Sequence, residues 1–115
     1  MRSLDCIFCK IANGEIKSSY IAENETFVAF DDINPSAPAH ILIVPRRHIA
    51  KLEELAECDG VAVKSLFSLV NEIVESKGIK NSGYRLIVNQ GSDSGQEVEH
   101  LHFHILGGRK LGRLG

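Results

Sequence analysis

The chain alternates between two hydrophobic periods. Near its start, residues 5–13 carry apolar positions at helical spacing and stop near Asn13-Gly14, which predicts a short helix. Tyr20-Ile21-Ala22-Glu23 and Phe27-Val28-Ala29-Phe30 read as two strands, and Asn24-Glu25 between them suits a hairpin turn. Asn34-Pro35-Ser36-Ala37-Pro38 is a loop, because its two prolines lack backbone donors and disfavour helix in the residues before them. His40-Ile41-Leu42-Ile43-Val44 follows as a strongly buried strand, ended by Pro45-Arg46-Arg47-His48. From about Asp59 to Lys77 the period changes to that of a long helix. Val61, Leu66, Leu69, Val70, Ile73 and Val74 form one stripe, with Gly78 placed to cap it. Asn81-Ser82-Gly83 turns the chain into a fourth strand, Tyr84 to Asn89.

The strictest alternation comes last, in His100-Leu101-His102-Phe103-His104. Successive side chains of a strand point to opposite faces. Leu101, Phe103 and Ile105 therefore face a core, and His100, His102 and His104 share the other face. Five strands, one long helix and a short N-terminal helix in this order predict an α+β fold, an antiparallel sheet with the long helix packed on one face.

At 115 residues the chain has the length of one domain, and a hydrophobic fraction of 43% is too high for disorder. A net charge of −2 supplies no general attraction for nucleic acid, so any affinity for phosphate must be local. No apolar run is long enough to span a bilayer, and Met1-Arg2-Ser3-Leu4-Asp5 lacks the apolar stretch of a signal peptide. Three cysteines, two of them in Cys6-x-x-Cys9, suit a reducing cytoplasm better than a disulfide framework.

A strand has no structural use for three adjacent imidazoles, so a row of groups that titrate near neutral pH points to chemistry. Strand geometry limits what that chemistry is. Residues two apart are separated by roughly 6.6 Å and residues four apart by roughly 13 Å. His100 and His104 are therefore too far apart to ligate one zinc ion, and the row divides its labour. The Cys6-x-x-Cys9 pair supplies half a zinc site, a redox pair or simply two buried small residues, whereas Cys58 reads as packing. Gly91-Ser92-Asp93-Ser94-Gly95, ending beside Gln96, is either an ordinary connection or a loop whose backbone donors approach an anion. Asp31-Asp32 is a solvated strand end or a partner for sugar hydroxyls, and Arg46-Arg47 a solvated turn.

The run from His100 to Arg109 resembles the motif of the histidine-triad (HIT) superfamily, in its Hint-like nucleotide-binding branch. The resemblance covers nearly the whole chain. Cys6-Ile7-Phe8-Cys9-Lys10-Ile11 is similar to that branch's N-terminal motif, and Phe30 through His40, continued by residues 41–48, to its nucleoside-binding segment. Tyr84 to Asn89 and Gly95-Gln96 are similar to its phosphate region. The resemblance implies a single HIT domain over residues 1–115 and a cytoplasmic homodimer whose sheets join across a two-fold axis. It implies hydrolysis or transfer at the α-phosphate of a purine nucleotide, often an adenosine phosphoramidate. His102 is then the nucleophile, forming a covalent nucleotidyl-histidine. A backbone carbonyl fixes its tautomer, His104 donates to phosphoryl oxygens, and His40 supports His102. Asn89, Gly95, Gln96, Glu97 and Val98 hold phosphate, and Asp32 accepts from ribose. Ile7, Phe8, Ile11, Phe30 and Ile33 form the base slot. A zinc-bearing bacterial subset further implies one structural zinc on Cys6, Cys9, His48 and His100, against members in which the histidine only hydrogen-bonds. No organic cofactor, nucleic acid or membrane partner is implied.

Two positions depart from the family pattern. Glu97 stands where many eukaryotic members have a serine that protonates the leaving group, and an ionised carboxylate accepts but does not donate. The tail Lys110-Leu111-Gly112-Arg113-Leu114-Gly115 lacks a Trp-Pro ending. Hydrolysis of a dinucleoside polyphosphate and a non-catalytic nucleotide-binding role are the competing readings.

Overall fold

A computed structural model describes residues 6–16, 19–56 and 60–115. The hairpin expected around Asn24 forms because the Asn24 side-chain oxygen accepts from the backbone N–H groups of Thr26 (2.9 Å) and Phe27 (2.8 Å). It joins β1 (Tyr20–Glu23) to β2 (Phe27–Asp31). Arg46, expected in a solvated turn, instead reaches back to this hairpin, donating to the Glu23 carboxylate at 2.6 Å and to Asn24 O at 3.0 Å. β3 (Ala39–Pro45), β4 (Tyr84–Val88) and β5 (Phe103–Gly107) complete an antiparallel sheet of order β1-β2-β3-β5-β4. β3 is central and buried on both faces, which is why its sequence runs apolar without alternation.

The short N-terminal helix α1 spans Ile7–Ala12. A five-residue helix, α2 (Leu52–Ala56), has too few residues to show a period, and sequence reading missed it. Its local signs are two acidic residues in the first turn, Glu53 and Glu54, and the Glu54 carboxylate accepts from the Lys51 N–H at 3.1 Å. The long helix α3 spans Gly60–Ser76. Gly78, at φ +70°, ends it: the Gly78 N–H bonds to Glu75 O (3.1 Å) and the Ile79 N–H to Val74 O (3.0 Å). This pair of bonds needs the left-handed residue that glycine supplies at no steric cost. Leu66, Leu69, Val70, Ile73 and Val74 are buried as expected, but Val61, in the first turn of α3, is 70% exposed. Cys58 and Asp59 lie outside the described residues.

The two faces of the sheet carry separate apolar clusters. One holds Phe27, Ile41, Ile43 and Ile105 against Leu69, Ile73 and Val74 of α3. The other holds Val28, Phe30, Leu42 and Val44 against Phe8, Cys9, Ile11 and Ala12 of α1. The histidines emerge on this second face.

The histidine strand starts later than its alternation suggests. Its ladder with β3 begins at Phe103, opposite Ile43, and leaves His100, Leu101 and His102 ahead of it. There the Leu101 N–H bonds to Ile49 O at 2.5 Å instead. The inward and outward sorting survives without the ladder: Leu101, Phe103 and Ile105 all join the helix-side core. Burial, rather than strand pairing, enforces the alternation here.

Candidate active site and metal centre

Three ring stations follow one another on the α1 side of the sheet. The first is a closed cluster. Cys6, the N-cap of α1, and Cys9 bring their sulfurs to the Nδ1 of His100 at 3.3 and 3.4 Å, and His48 Nδ1 lies 3.2 Å from the Cys9 sulfur. The four ligand atoms of Cys6, Cys9, His48 and His100 lie within 4.8 Å of one another. A tetrahedral zinc ion with ordinary bond lengths places its sulfur and nitrogen ligands about 3.5 Å apart, so the cluster has nearly the spacing an ion imposes. The protonation pattern fits as well. The His100 Nε2–H donates to Pro45 O at 3.0 Å, which leaves the Nδ1 lone pair facing the sulfurs. Cys6 and Cys9 form no disulfide. Burial, aided by the neighbouring His48 and His102, pushes the His100 pKa down to about 4, so the ring is neutral, as a ligand must be.

The second station is His102, buried beneath the α1 helix. Its Nδ1 lies 2.7 Å from the His100 carbonyl oxygen. A carbonyl only accepts, so the proton sits on Nδ1 and the lone pair on Nε2. The ring of Phe8 meets it edge-on at 4.9 Å, and the His104 ring lies at 5.1 Å.

The third station is a relay. The Ser36 N–H donates to His40 Nδ1 at 3.0 Å, so a neutral His40 carries its proton on Nε2. That Nε2–H points at His104 Nδ1, 2.9 Å away, with an Asp32 carboxylate oxygen 3.5 Å from the same nitrogen. His104 Nδ1 is thus an acceptor and its Nε2–H a donor. Burial, with His102 and His40 close by, holds the His104 pKa down at about 4 against the opposing pull of Asp32, so at neutral pH the donor is an uncharged imidazole. Asp32, His40 and His104 also lie within 4.8 Å of one another, but the protonated His40 Nε2 offers a metal no lone pair. Of the two clusters, the thiolate one is the metal centre the donor chemistry supports.

Sequence reading placed His40 behind His102; the structure puts it against His104, because β3 pairs Leu42 with His104 and His40 with Leu106, two residues further along β5. Among the expected base-slot residues, Phe8, Ile11 and Phe30 pack in one cluster, with the Phe8 and Phe30 rings 6.2 Å apart. Ile33 is 92% exposed and Ile7 about half exposed, so neither packs with that cluster. Asn89 lies just beyond β4 and is half-buried. In the glycine loop, Gly95 takes φ +85°. The Gln96 side chain closes the loop, accepting from the Gly91 N–H (2.8 Å) and donating to Val98 O (3.0 Å). Glu97 is exposed, and Val98 is half-buried against the α1-side cluster. Ser36 and Pro45, which fix the two ring tautomers through backbone atoms, carried no sequence signal.

The HIT domain family model matches residues 13–111. The chain belongs to the HIT family. This HIT protein is 41% identical over 108 residues to the purine nucleoside phosphoramidase of Escherichia coli strain K12, covering 94% of this chain and 91% of that protein. It is 45% identical over 104 residues to an uncharacterized HIT-like protein of Helicobacter pylori, covering 90% and 97%. Among solved structures, a histidine triad protein from Clostridium difficile superposes with a TM-score of 0.91 at 47% identity and 100% coverage of both chains. A HIT family hydrolase from Clostridium thermocellum gives 0.90 at 42% identity and 97% coverage of both. Among the described residues, no helix is long and apolar enough to cross a membrane.

Proposed function

We propose that this protein, one HIT domain over residues 1–115, is a nucleotide hydrolase that acts on purine nucleoside phosphoramidates through a covalent nucleotidyl-His102. The observation that carries the reading is the 2.7 Å contact between His102 Nδ1 and the His100 carbonyl, which leaves Nε2 as a free nucleophile. The relative from Escherichia coli, a purine nucleoside phosphoramidase, supports it. Nε2 attacks the α-phosphorus and the bond to the leaving amine breaks. The amine keeps the bonding pair and takes a proton from solvent, because Glu97 as a carboxylate has none to give. Water then attacks phosphorus, releasing nucleoside monophosphate and restoring His102. The His104 Nε2–H donates to the phosphoryl oxygens through both steps, with His40 orienting it. Phe8, Ile11, Phe30 and Ile33 receive the base and Asp32 the ribose hydroxyls. Asn89 and the segment Gly95, Gln96, Glu97 and Val98 receive the phosphate.

Cys6, Cys9, His48 and His100 would hold a zinc ion in a structural role, since four protein ligands would fill a tetrahedral shell and leave no position for substrate. A thiolate-rich centre suits a reducing compartment, which supports a cytoplasmic location. The partner is a second copy of the chain, joined through β4. That strand is a sheet edge, and beside it a mostly apolar cavity of about 300 Å³ includes Val63 and Phe67, the latter 56% exposed. An edge strand pairing with its own copy across a two-fold axis satisfies its open backbone groups and covers that patch.

Acid-quenched reactions with an adenosine phosphoramidate should carry one nucleotidyl adduct on His102 by mass spectrometry. His102→Ala should lose turnover by on the order of 10³-fold or more while still binding nucleoside monophosphate. Turnover without an adduct, or retained by the variant, overturns the covalent route. Faster turnover of a dinucleoside polyphosphate in the same assay moves the substrate assignment.

A further inference from the structure

The residues proposed to receive phosphate, Asn89 and Gly95 to Val98, flank or end the glycine loop, and few bonds fasten that loop to the body of the molecule. The β4 ladder ends at Val88, opposite Phe103, and the chain bonds to the body again at His100 and Leu101. Between these points the loop is mostly its own partner. The N–H groups of Ser94 and Gly95 return to Gly91 O and Ser92 O, and the Gln96 side chain ties Gly91 to Val98 O. Among the described residues, the two hydrogen bonds that leave the segment both come from Gln90. Its Oε1 accepts from the Leu52 N–H at the start of α2, and its Nε2–H donates to the Glu53 carboxylate at 2.7 Å. The Gln90 bond, above the other causes, holds the Glu53 carboxyl below its ordinary pKa, so the acceptor is ionised at neutral pH.

The far side of this clamp is anchored. Leu55 of α2 is 3% exposed within the helix-side core. Apolar packing does not hold the near side. Gly91 to Gly95 are all exposed, and only Val98, at the far end of the segment, packs against an apolar cluster. Where the loop meets α2 there is an open cavity of about 360 Å³, lined by Lys51, Glu53, Gln90, Gly91, Gln96 and Glu99 among others. The Gln90 amide bridges α2 to the loop beside that cavity.

We propose that Gln90 is a positioning residue for the phosphate-binding loop: it clamps the loop to α2 and so holds the loop's donors where the phosphate of a nucleotide sits. The inference rests on the nucleotide reading above and deepens it. It gives the short helix α2 a part in substrate binding, as the buttress behind the loop. Gln90 acts through the loop, because its own amide is turned to α2.

Reversing the polarity of the clamp separates this role from simple stabilisation of α2. Gln90→Ala deletes both bonds. Gln90→Glu keeps an acceptor for the Leu52 N–H but sets two carboxylates face to face. Gln90→Glu combined with Glu53→Gln restores both bonds, since the new carboxylate accepts from the Leu52 N–H and from the amide at position 53. Each protein is titrated with adenosine monophosphate and with adenosine by calorimetry, and assayed with an adenosine phosphoramidate.

Either single exchange at position 90 should weaken adenosine monophosphate binding about tenfold and raise KM as much, with kcat within about twofold. Adenosine, which has no phosphate, should bind these variants as it binds the wild type. The double exchange should bring affinity and KM back to within about twofold of wild type. Gly78→Ala, far from the loop, controls for lost stability and should leave the affinity for adenosine monophosphate unchanged. Equal weakening of adenosine and its monophosphate, no recovery in the double exchange, or the same loss in Gly78→Ala overturns the proposal. So does unchanged phosphate affinity in Gln90→Ala. A wild-type protein that binds adenosine monophosphate no better than adenosine brings down the phosphate assignment itself and this proposal with it, a result distinct from strong wild-type binding that the exchanges leave unmoved.

Discussion

Two clusters of metal-ligand residue types sit on the same face of this sheet, and their members do opposite work. Cys6, Cys9, His48 and His100 close around one point; Asp32, His40 and His104 are as tightly grouped. What separates them is the far ring nitrogen. In His100 that nitrogen carries a proton donated to Pro45 O, and the near one is left as a ligand. In His40 the far nitrogen accepts from the Ser36 N–H, and the near one must be a donor. One backbone carbonyl and one backbone N–H turn the same side chain into a metal ligand in one place and a hydrogen-bond relay in the other.

The contrast breaks most visibly at the metal. Cys9→Ala removes a buried ligand, and it should lower the melting temperature by on the order of 15 °C and abolish zinc retention, since metal binding energy is folding energy. Differential scanning fluorimetry with metal analysis checks this, and an unchanged melting temperature makes the closed cluster a packing feature. His104→Ala should do the reverse. Turnover falls by roughly 10²–10³-fold as a donor to the phosphoryl oxygens is lost, while zinc stays at one ion per chain. Loss of zinc from that variant would merge the two clusters into one.

Acid should act on both. His100 and His104 have folded pKa values near 4, well below the ordinary imidazole value. The unfolded chain therefore takes up protons first as pH falls. The stability due to their neutrality is complete above the unfolded value, declines as pH drops from about 6.5 towards 4, and levels off below. Urea titrations across that window measure it, and His104→Gln should flatten its share of the slope. The smallest effect lies far from both clusters. Gly78→Ala strains the left-handed C-terminal cap of α3, and should cost about 1 kcal/mol in urea unfolding with kcat and zinc content unchanged. If that loss alone depresses kcat, global stability, not local geometry, controls the site.

Reading the sequence located every strand and the long helix because those segments have enough residues to show a period. It missed α2, which has five, and it started β5 early because alternation at His100 and His102 comes from burial and not from pairing. Cys6, Cys9 and the row His100, His102 and His104 were singled out on residue type and spacing, whereas His40 and His48 received roles only through the family resemblance. The assignment of His40 to His104 depended on cross-strand register, which a single strand's pattern does not encode. The exposure of Ile33 at the tip of its loop was equally unreadable, since an isolated apolar residue near prolines carries no direction.

Local periodicity and residue chemistry thus determined the α+β class, the side of the sheet that carries the imidazoles, and the kinds of ligand available. Which nitrogen bears each proton was decided only by the folded chain. That choice depends on backbone groups of Ser36, Pro45 and His100, and a peptide carbonyl or N–H is the same in every residue until folding aims it.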